Sequence, residues 1–219
     1  MTDALVTPIP VSSYGAVVRT ATPDEHAAVG ELTYRGLGHS DAARPDPARE
    51  ALLRDASARA AEGDLLVAAD AATGELLGTA SLLRPGSRLS RQARGGEAEL
   101  RLLAVLPRAR RFGAGWALMS EAIERARVWD APALVLDTGP GNHASQRLYH
   151  RLGFQRVPER ETLPASRGGH LAVFRYDLRA SEGRGARDLG RGRSRRRTTA
   201  RHRHDRAAWG ADHPDRPHR

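Results

Sequence analysis

Hydrophobic and polar positions along this chain change period repeatedly, and the changes mark out alternating strands and helices. GAVVRTA, residues 15–21, is a short β-branched run, and Thr22-Pro23-Asp24-Glu25 then opens a helix. Threonine can cap it, proline fits the first turn, and the acids complement the amide dipole. That helix is predicted to reach Tyr34. Beyond GLGHSDAARPD a second helix is expected from Pro47 to Ala61, with Leu52, Leu53, Ala56 and Ala60 on one stripe and Gly63 just past its end. Leu65–Asp70 and Glu75–Leu83 read as strands joined by a turn at Thr73-Gly74. After the loop RPGSRLSRQARGG come a strand at Glu97–Leu106, a helix at Gly115–Trp129, a strand at Ala133–Asp137 and a helix at Asn142–Leu152. Phe154–Val157 and His170–Leu178 form a terminal strand pair. Strands and helices mixed in this order predict an α+β or α/β sandwich, not a bundle or an all-β barrel.

The pattern also sets boundaries. Residues 1–14 are expected to be a flexible amino terminus, 15–179 one folded domain, and 180–219 a disordered arginine-rich tail. The net charge of +9 first suggests a nucleic-acid partner, but the residues beyond Ala180 hold twelve Arg against five acids, so the tail carries +7 and the rest only +2. Non-specific contact with polyanions is therefore expected of the tail. Its four histidines sit in a flexible polycation, a poor metal cage, and no metal is expected. With no cysteine in the chain, disulfides, thiolate zinc sites and cysteine nucleophiles are excluded. No apolar run approaches the ~20 residues that span a bilayer, and MTDALVTPIPVSSYGA does not read as a signal peptide. No membrane contact is predicted, and the expected location is cytoplasmic.

The candidate chemistry lies in LAVLPRARRFGAGWALM, residues 103–119, where an apolar strand runs into three arginines, two glycines and a helix. The free N–H groups of a first helical turn point at a common spot, which is an anion site. Gly113 and Gly115 let backbone approach phosphate oxygens, and Arg108, Arg110 and Arg111 add positive charge. A nucleoside-triphosphate loop needs a lysine, which the chain lacks, and a dinucleotide loop needs a third glycine where Leu118 stands. Glycines at such a turn can also be steric devices alone.

Arg110, Gly113 and Gly115 fit Arg/Gln-x-x-Gly-x-Gly/Ala, and Asn142, Leu148, Tyr149, Gly153 and Phe154 in NHASQRLYHRLGF fit a second signature, N…LY…GF. In both, and in their order, the chain resembles the GNAT superfamily of acetyl-coenzyme-A-dependent N-acetyltransferases over residues 15–178. The resemblance implies an α/β/α sandwich whose mixed, mostly antiparallel sheet is flanked by helices. It implies acetyl-CoA as co-substrate, with the pyrophosphate cradled by Arg110, Arg111, Phe112, Gly113, Ala114, Gly115 and Trp116. LRLLAV looks like the family's fourth strand, which splays from its neighbour so that the backbone of Leu103, Ala104 and Val105 receives the pantetheine arm.

Period-2 alternation puts Glu97, Glu99, Arg101, Leu103 and Val105 on one strand face. Acetyl transfer to an amine needs a base and a proton donor for the leaving thiolate. The resemblance implies Glu99 as general base, through water, with Glu97 able to assist or replace it; both can also be exposed strand acids. It implies Tyr149 as the thiolate's proton donor, though its helical position also suits core packing. Asn142 can bond the pantetheine arm or cap its helix. Where the family often has alanine three residues later, this chain has Ser145.

The acceptor is a small-molecule or peptide amine that no motif identifies, and a homodimer is left open. Two rival readings stand beside the enzyme. One is an inactive acyl-CoA-binding sensor of the same fold, and the other a nucleic-acid-associated protein working through its tail.

Overall fold

The computed structural model describes residues 10–11, 16–40, 46–110, 113–165 and 168–179. The tail expected beyond Ala180 lies outside them, as do Arg111, Phe112 and most of residues 1–14. In chain order the strands are β1 (Pro10–Val11), β2 (Ala16–Thr20), β3 (Gly63–Asp70), β4 (Leu76–Leu83), β5 (Ala98–Val105), β6 (Ala133–Thr138), β7 (Gln155–Arg156) and β8 (Ala172–Asp177). The helices are α1 (His26–Gly36), α2 (Pro47–Arg54), α3 (Ala56–Ala61), α4 (Ala114–Val128) and α5 (His143–Leu152). The strands form one sheet in the order β1-β2-β3-β4-β5-β6-β8-β7. All neighbours are antiparallel except β5 and β6. β1, which falls in the segment expected to be flexible, pairs Pro10 with Val17 and Val11 with Ala16.

Alternation along β3 sorts the core into two layers. Leu66 and Ala68 face α4, packing with Ala80, Leu82, Leu100, Leu134 and Leu136 against Leu118, Met119, Ala122 and Ile123. Leu65 and Val67 face the other way, onto Val29 of α1 and Ala56 of α3. Helices thus cover both faces of a mostly antiparallel sheet, as expected.

Two local departures shape the site. The single helix expected from Pro47 to Ala61 is broken at Asp55, whose backbone (φ −78°, ψ 76°) leaves the helical region while its carboxylate accepts from Ala58 N at 2.9 Å. An aspartate offered the start of a helix competes with continuing one. The break also lets α1 come close: a Cβ on Gly30 would sit 2.3 Å from the Arg54 carbonyl oxygen.

The second departure corrects the strand-face assignment. Leu102 has φ 54°, and the β4–β5 register shifts from Ser81↔Arg101 to Thr79↔Ala104. This bulge inserts an extra residue and reverses the alternation beyond it. Ala104 therefore joins Glu99 and Arg101 on the α1 face, where Gly36 packs on it. Leu103 and Val105 turn instead to the α4 layer.

Candidate functional site

β5 and β6 pair only through Ala98↔Leu134, Glu99↔Val135 and Leu100↔Leu136. From Arg101 to Val105 the edge of β5 facing β6 has no strand partner, while β6 continues to Thr138 along β8. The bulge at Leu102 bends β5 away, so a slot opens between two neighbours in a continuous sheet.

At the end of that slot stands the amino terminus of α4. Gly113 caps it in the left-handed region (φ 88°, ψ −6°), a conformation that costs L residues about 1–2 kcal/mol. The N–H groups of Ala114, Gly115 and Trp116 precede the first intrahelical acceptor and point out of the helix, since the first bond runs from Ala117 N to Gly113 O at 2.9 Å. Gly115 is less constrained: a Cβ there would make ordinary contact with Leu148 Cδ2 at 3.5 Å. Trp116 is exposed, with the Arg151 guanidinium 5.5 Å over its ring.

Of the arginines expected near the phosphates, Arg108 and Arg110 have protein partners. Arg110 donates from Nε to Val105 O at 3.2 Å and from Nη2 to Gly36 O at 3.0 Å, tying the turn to β5 and α1. Arg108 pairs with Glu75. Arg111 and Phe112 lie outside the described residues. What the described part of this turn presents outward is chiefly backbone amides.

Both candidate acids are buried rather than exposed. Glu99 has no accessible surface, and its Oε2 accepts from the consecutive amides of Arg91, Gln92 and Ala93 at 2.7, 2.8 and 3.1 Å. Its Oε1 has no hydrogen-bond partner, and Arg101 Nε lies 3.9 Å away. Glu97 is fully engaged. Its Oε1 accepts from Arg175 Nε at 2.8 Å and Arg160 Nη1 at 3.2 Å, and its Oε2 from Arg160 Nη2 at 2.9 Å and Arg94 N at 3.1 Å. Burial alone would raise its pKa, but these arginines and the Arg94 amide outweigh it and hold the carboxyl below the usual range. Glu97 braces β8 and the loop before β5; Glu99 is the acid with a free oxygen.

Tyr149 lies on the opposite face. Its ring packs on Phe174, centroids 5.4 Å apart, and Phe174 pairs with Leu136, whereas Glu99 pairs with Val135 on the other side of the pleat. The hydroxyl meets the side chains of Ser145 and Thr138; burial pushes its pKa up to about 12, against those bonds. Ser145 is thus a partner of the candidate proton donor, which the departure from alanine alone did not suggest. Asn142 caps α5, accepting from Ser145 N at 3.3 Å, and its Nδ2 donates to Thr138 Oγ1 at 3.1 Å. Gly153 (φ 95°) ends the same helix, and Phe154 N donates to Tyr149 O at 3.0 Å.

On the Glu99 face a cavity of about 240 Å³ opens between α2, α3 and the bulge of β5, lined by Leu52, Asp55, Arg59, Ser81, Leu83, Leu89, Arg101 and Leu102 among others. Arg59 was not singled out by the sequence, where it reads as one polar position in an alanine-rich helix. Among the described residues no group of three or more His, Asp or Glu could hold a metal ion, and no helix is long and apolar enough to cross a membrane.

A strand parted from its neighbour beside a glycine-started helix sets the character of this α+β domain. Residues 31–154 match the model of the Acetyltransferase (GNAT) family, and the chain belongs to that family. Several solved structures share the fold. A GNAT-family acetyltransferase from Staphylococcus aureus Mu50 aligns at TM-score 0.58 and 16% identity, over 74% of this chain and 99% of that one. The yncA protein of Salmonella typhimurium, solved with its cofactor acetyl-CoA, aligns at TM-score 0.53 and 22% identity, over 74% and 94%. The ribosomal-protein-S18-alanine N-acetyltransferase of Escherichia coli aligns at TM-score 0.55 and 20% identity, again over 74% and 94%. No curated protein matches the chain. The protein is accordingly a GNAT-type acetyltransferase, of a family that uses acetyl-CoA.

Proposed function

We propose that the protein transfers an acetyl group from acetyl-CoA to a primary amine by direct attack, with Glu99 as general base and Tyr149 as proton donor to the departing thiolate. The observation that carries this reading is the parting of β5 from β6 after Leu100 and Leu136, which opens a slot with Glu99 on one face of the sheet and Tyr149 on the other.

The residues around the slot fit the co-substrate. The unpaired edge of Arg101–Val105 can receive an extended arm as a sheet edge receives an added strand. Gly113 turns the chain so that the amides of Ala114, Gly115 and Trp116 meet phosphate oxygens. Asn142 spends its side-chain oxygen on the helix cap, which favours capping as its main role. Bound acetyl-CoA supplies an acyl group already activated on sulfur. The amine nitrogen forms the new C–N bond as the C–S bond breaks; one proton leaves through Glu99 and one is supplied to sulfur from the Tyr149 side. Three amides fix Oε2, which leaves Oε1 to take the amine's proton; Glu99 is enclosed in the unliganded chain, so the relaying water must enter with the acceptor. The Tyr149 hydroxyl, held protonated through neutral pH beside Ser145 and Thr138, can turn its O–H to developing negative charge on sulfur.

Glu99→Gln tests the base. The amide oxygen can still accept from the Arg91–Ala93 amides, so the loop stays in place, while kcat for thiol release is expected to fall about 10²- to 10⁴-fold with coenzyme A affinity unchanged. Unchanged turnover and pH profile would remove Glu99 from the mechanism. Coenzyme A binding without thiol release from any amine would favour a sensor.

A further inference from the structure

Arg59 is 5% exposed, and among its donors only Nη2 has a partner, Thr33 Oγ1 at 3.3 Å. Nε and Nη1, both buried, have none. An isolated charge in such a place is expensive, and buried guanidinium groups are ordinarily paired with an anion. Among the described residues no carboxylate is hydrogen-bonded to it. Asp55 is near enough to act on Arg59 electrostatically, but its carboxylate caps α3, and Arg101, the other cation of the cavity, opposes it. Burial draws the guanidinium pKa down to about 10, which still leaves it charged at neutral pH.

Arg101 is itself a cation, already engaged by the Leu89 carbonyl and by Glu99 beside it. The remaining wall of the cavity is mostly apolar, from Leu52, Leu83, Leu89 and Leu102. Its volume of about 240 Å³ gives room for a small molecule and not for a folded partner. Arg101 and Leu102, at the bulge of β5, are among its lining residues.

We infer that the acceptor is a free amino acid with an apolar side chain, its carboxylate paired with Arg59, its side chain on the leucine wall and its amine directed toward the bulge. The inference rests on the acetyl-transfer reading and narrows it to a substrate class. Planar carboxylate suits guanidinium, and the apolar wall disfavours a second charged group on the acceptor.

The test compares L-leucine, L-leucinamide and 3-methylbutylamine as acceptors with acetyl-CoA, by thiol release, in the full-length protein and in Arg59→Met and Arg59→Lys. Leucine should exceed both analogues in kcat/KM by on the order of 100-fold, the scale of leaving one partner of a buried charge pair alone. Arg59→Met should abolish that preference, and Arg59→Lys should restore part of it, with coenzyme A affinity measured by calorimetry the same in all three. Methionine removes an unpaired buried charge, so folding of that variant is favoured. Should leucinamide or 3-methylbutylamine be acetylated as well as leucine, or Arg59→Met keep the preference, the inference fails while acetyl transfer stands. Should no acceptor react, thermal shift decides: leucine raising Tm of the parent but not of Arg59→Met upholds the carboxylate site without the chemistry, and no shift in either overturns it.

Discussion

Removing one oxygen atom from Tyr149 isolates its role as proton donor. The ring is 4% exposed and packs on Phe174 and Phe154 at centroid distances of 5.4 and 6.1 Å, contacts that Tyr149→Phe retains. Of its hydroxyl partners, Thr138 also receives Asn142 Nδ2, so the loss is spread over a connected group. Burial pushes its pKa up to about 12, so the phenol keeps its proton through neutral pH until negative charge develops on the leaving sulfur. Losing the hydroxyl removes the charge-assisted hydrogen bond to the developing thiolate along which that proton passes, worth about 1.5–3 kcal/mol. That converts to a fall in kcat of about 10- to 150-fold. The assay is steady-state thiol release at saturating acceptor from about pH 6 to about pH 10, a range in which a group with this pKa stays protonated. The variant should be slower by a constant factor throughout, with KM for acetyl-CoA within about twofold. A kcat indistinguishable from the parent, or an alkaline limb that the substitution abolishes, would refute the reasoning.

Three further outcomes follow from the geometry. Gly113→Val must abandon φ 88°, re-aiming the amides of the first turn, and calorimetry should show coenzyme A affinity weaker by about tenfold or more; equal affinity in a folded variant would move the anion site elsewhere. Gly30→Ala puts a methyl 2.3 Å from the Arg54 carbonyl oxygen and should lower stability by about 1–3 kcal/mol in urea denaturation; a neutral result would mean that α1 and α2 separate freely. Arg19 donates to both oxygens of Glu25 at 2.7 Å and holds its carboxyl down at about 2 against partial burial. A depressed folded-state pKa gives stability that is full above the unfolded value of 4.5 and is lost as pH falls toward 2. Glu25→Gln should thus lose about 1 kcal/mol at neutral pH, allowing for screening of the partly exposed pair, and flatten the acid limb of the stability curve; an unchanged limb would count against this pair.

What the sequence made legible was what depends on local pattern. The Gly113 turn, the hairpin at Thr73-Gly74 and the Asn142 to Gly153 helix were readable because capping and positive φ demand particular residues within a few positions. The bulge at Leu102 left no such mark: leucine is no signal for positive φ, and the distortion is fixed by pairing with β4 on one side and its loss from β6 on the other. One extra residue there was enough to put Leu103 and Val105 on the wrong face. The burial of Glu97 and Glu99 was equally hidden, because their partners, Arg160 and Arg175 for one and the Arg91–Ala93 amides for the other, are supplied by the surrounding loops and β8. Arg59 became a candidate only once α3 laid it along a cavity wall with Nε and Nη1 unmet.

The most direct measurement is a crystal structure of the protein with coenzyme A. The account predicts the pantetheine arm hydrogen-bonded along Arg101–Val105 in the gap beside β6, the diphosphate on the amides of Ala114, Gly115 and Trp116, and the sulfur on the Tyr149 side with Glu99 across the sheet. A ligand bound outside the gap, or β5 closing onto β6 through Val105 in the complex, would contradict it.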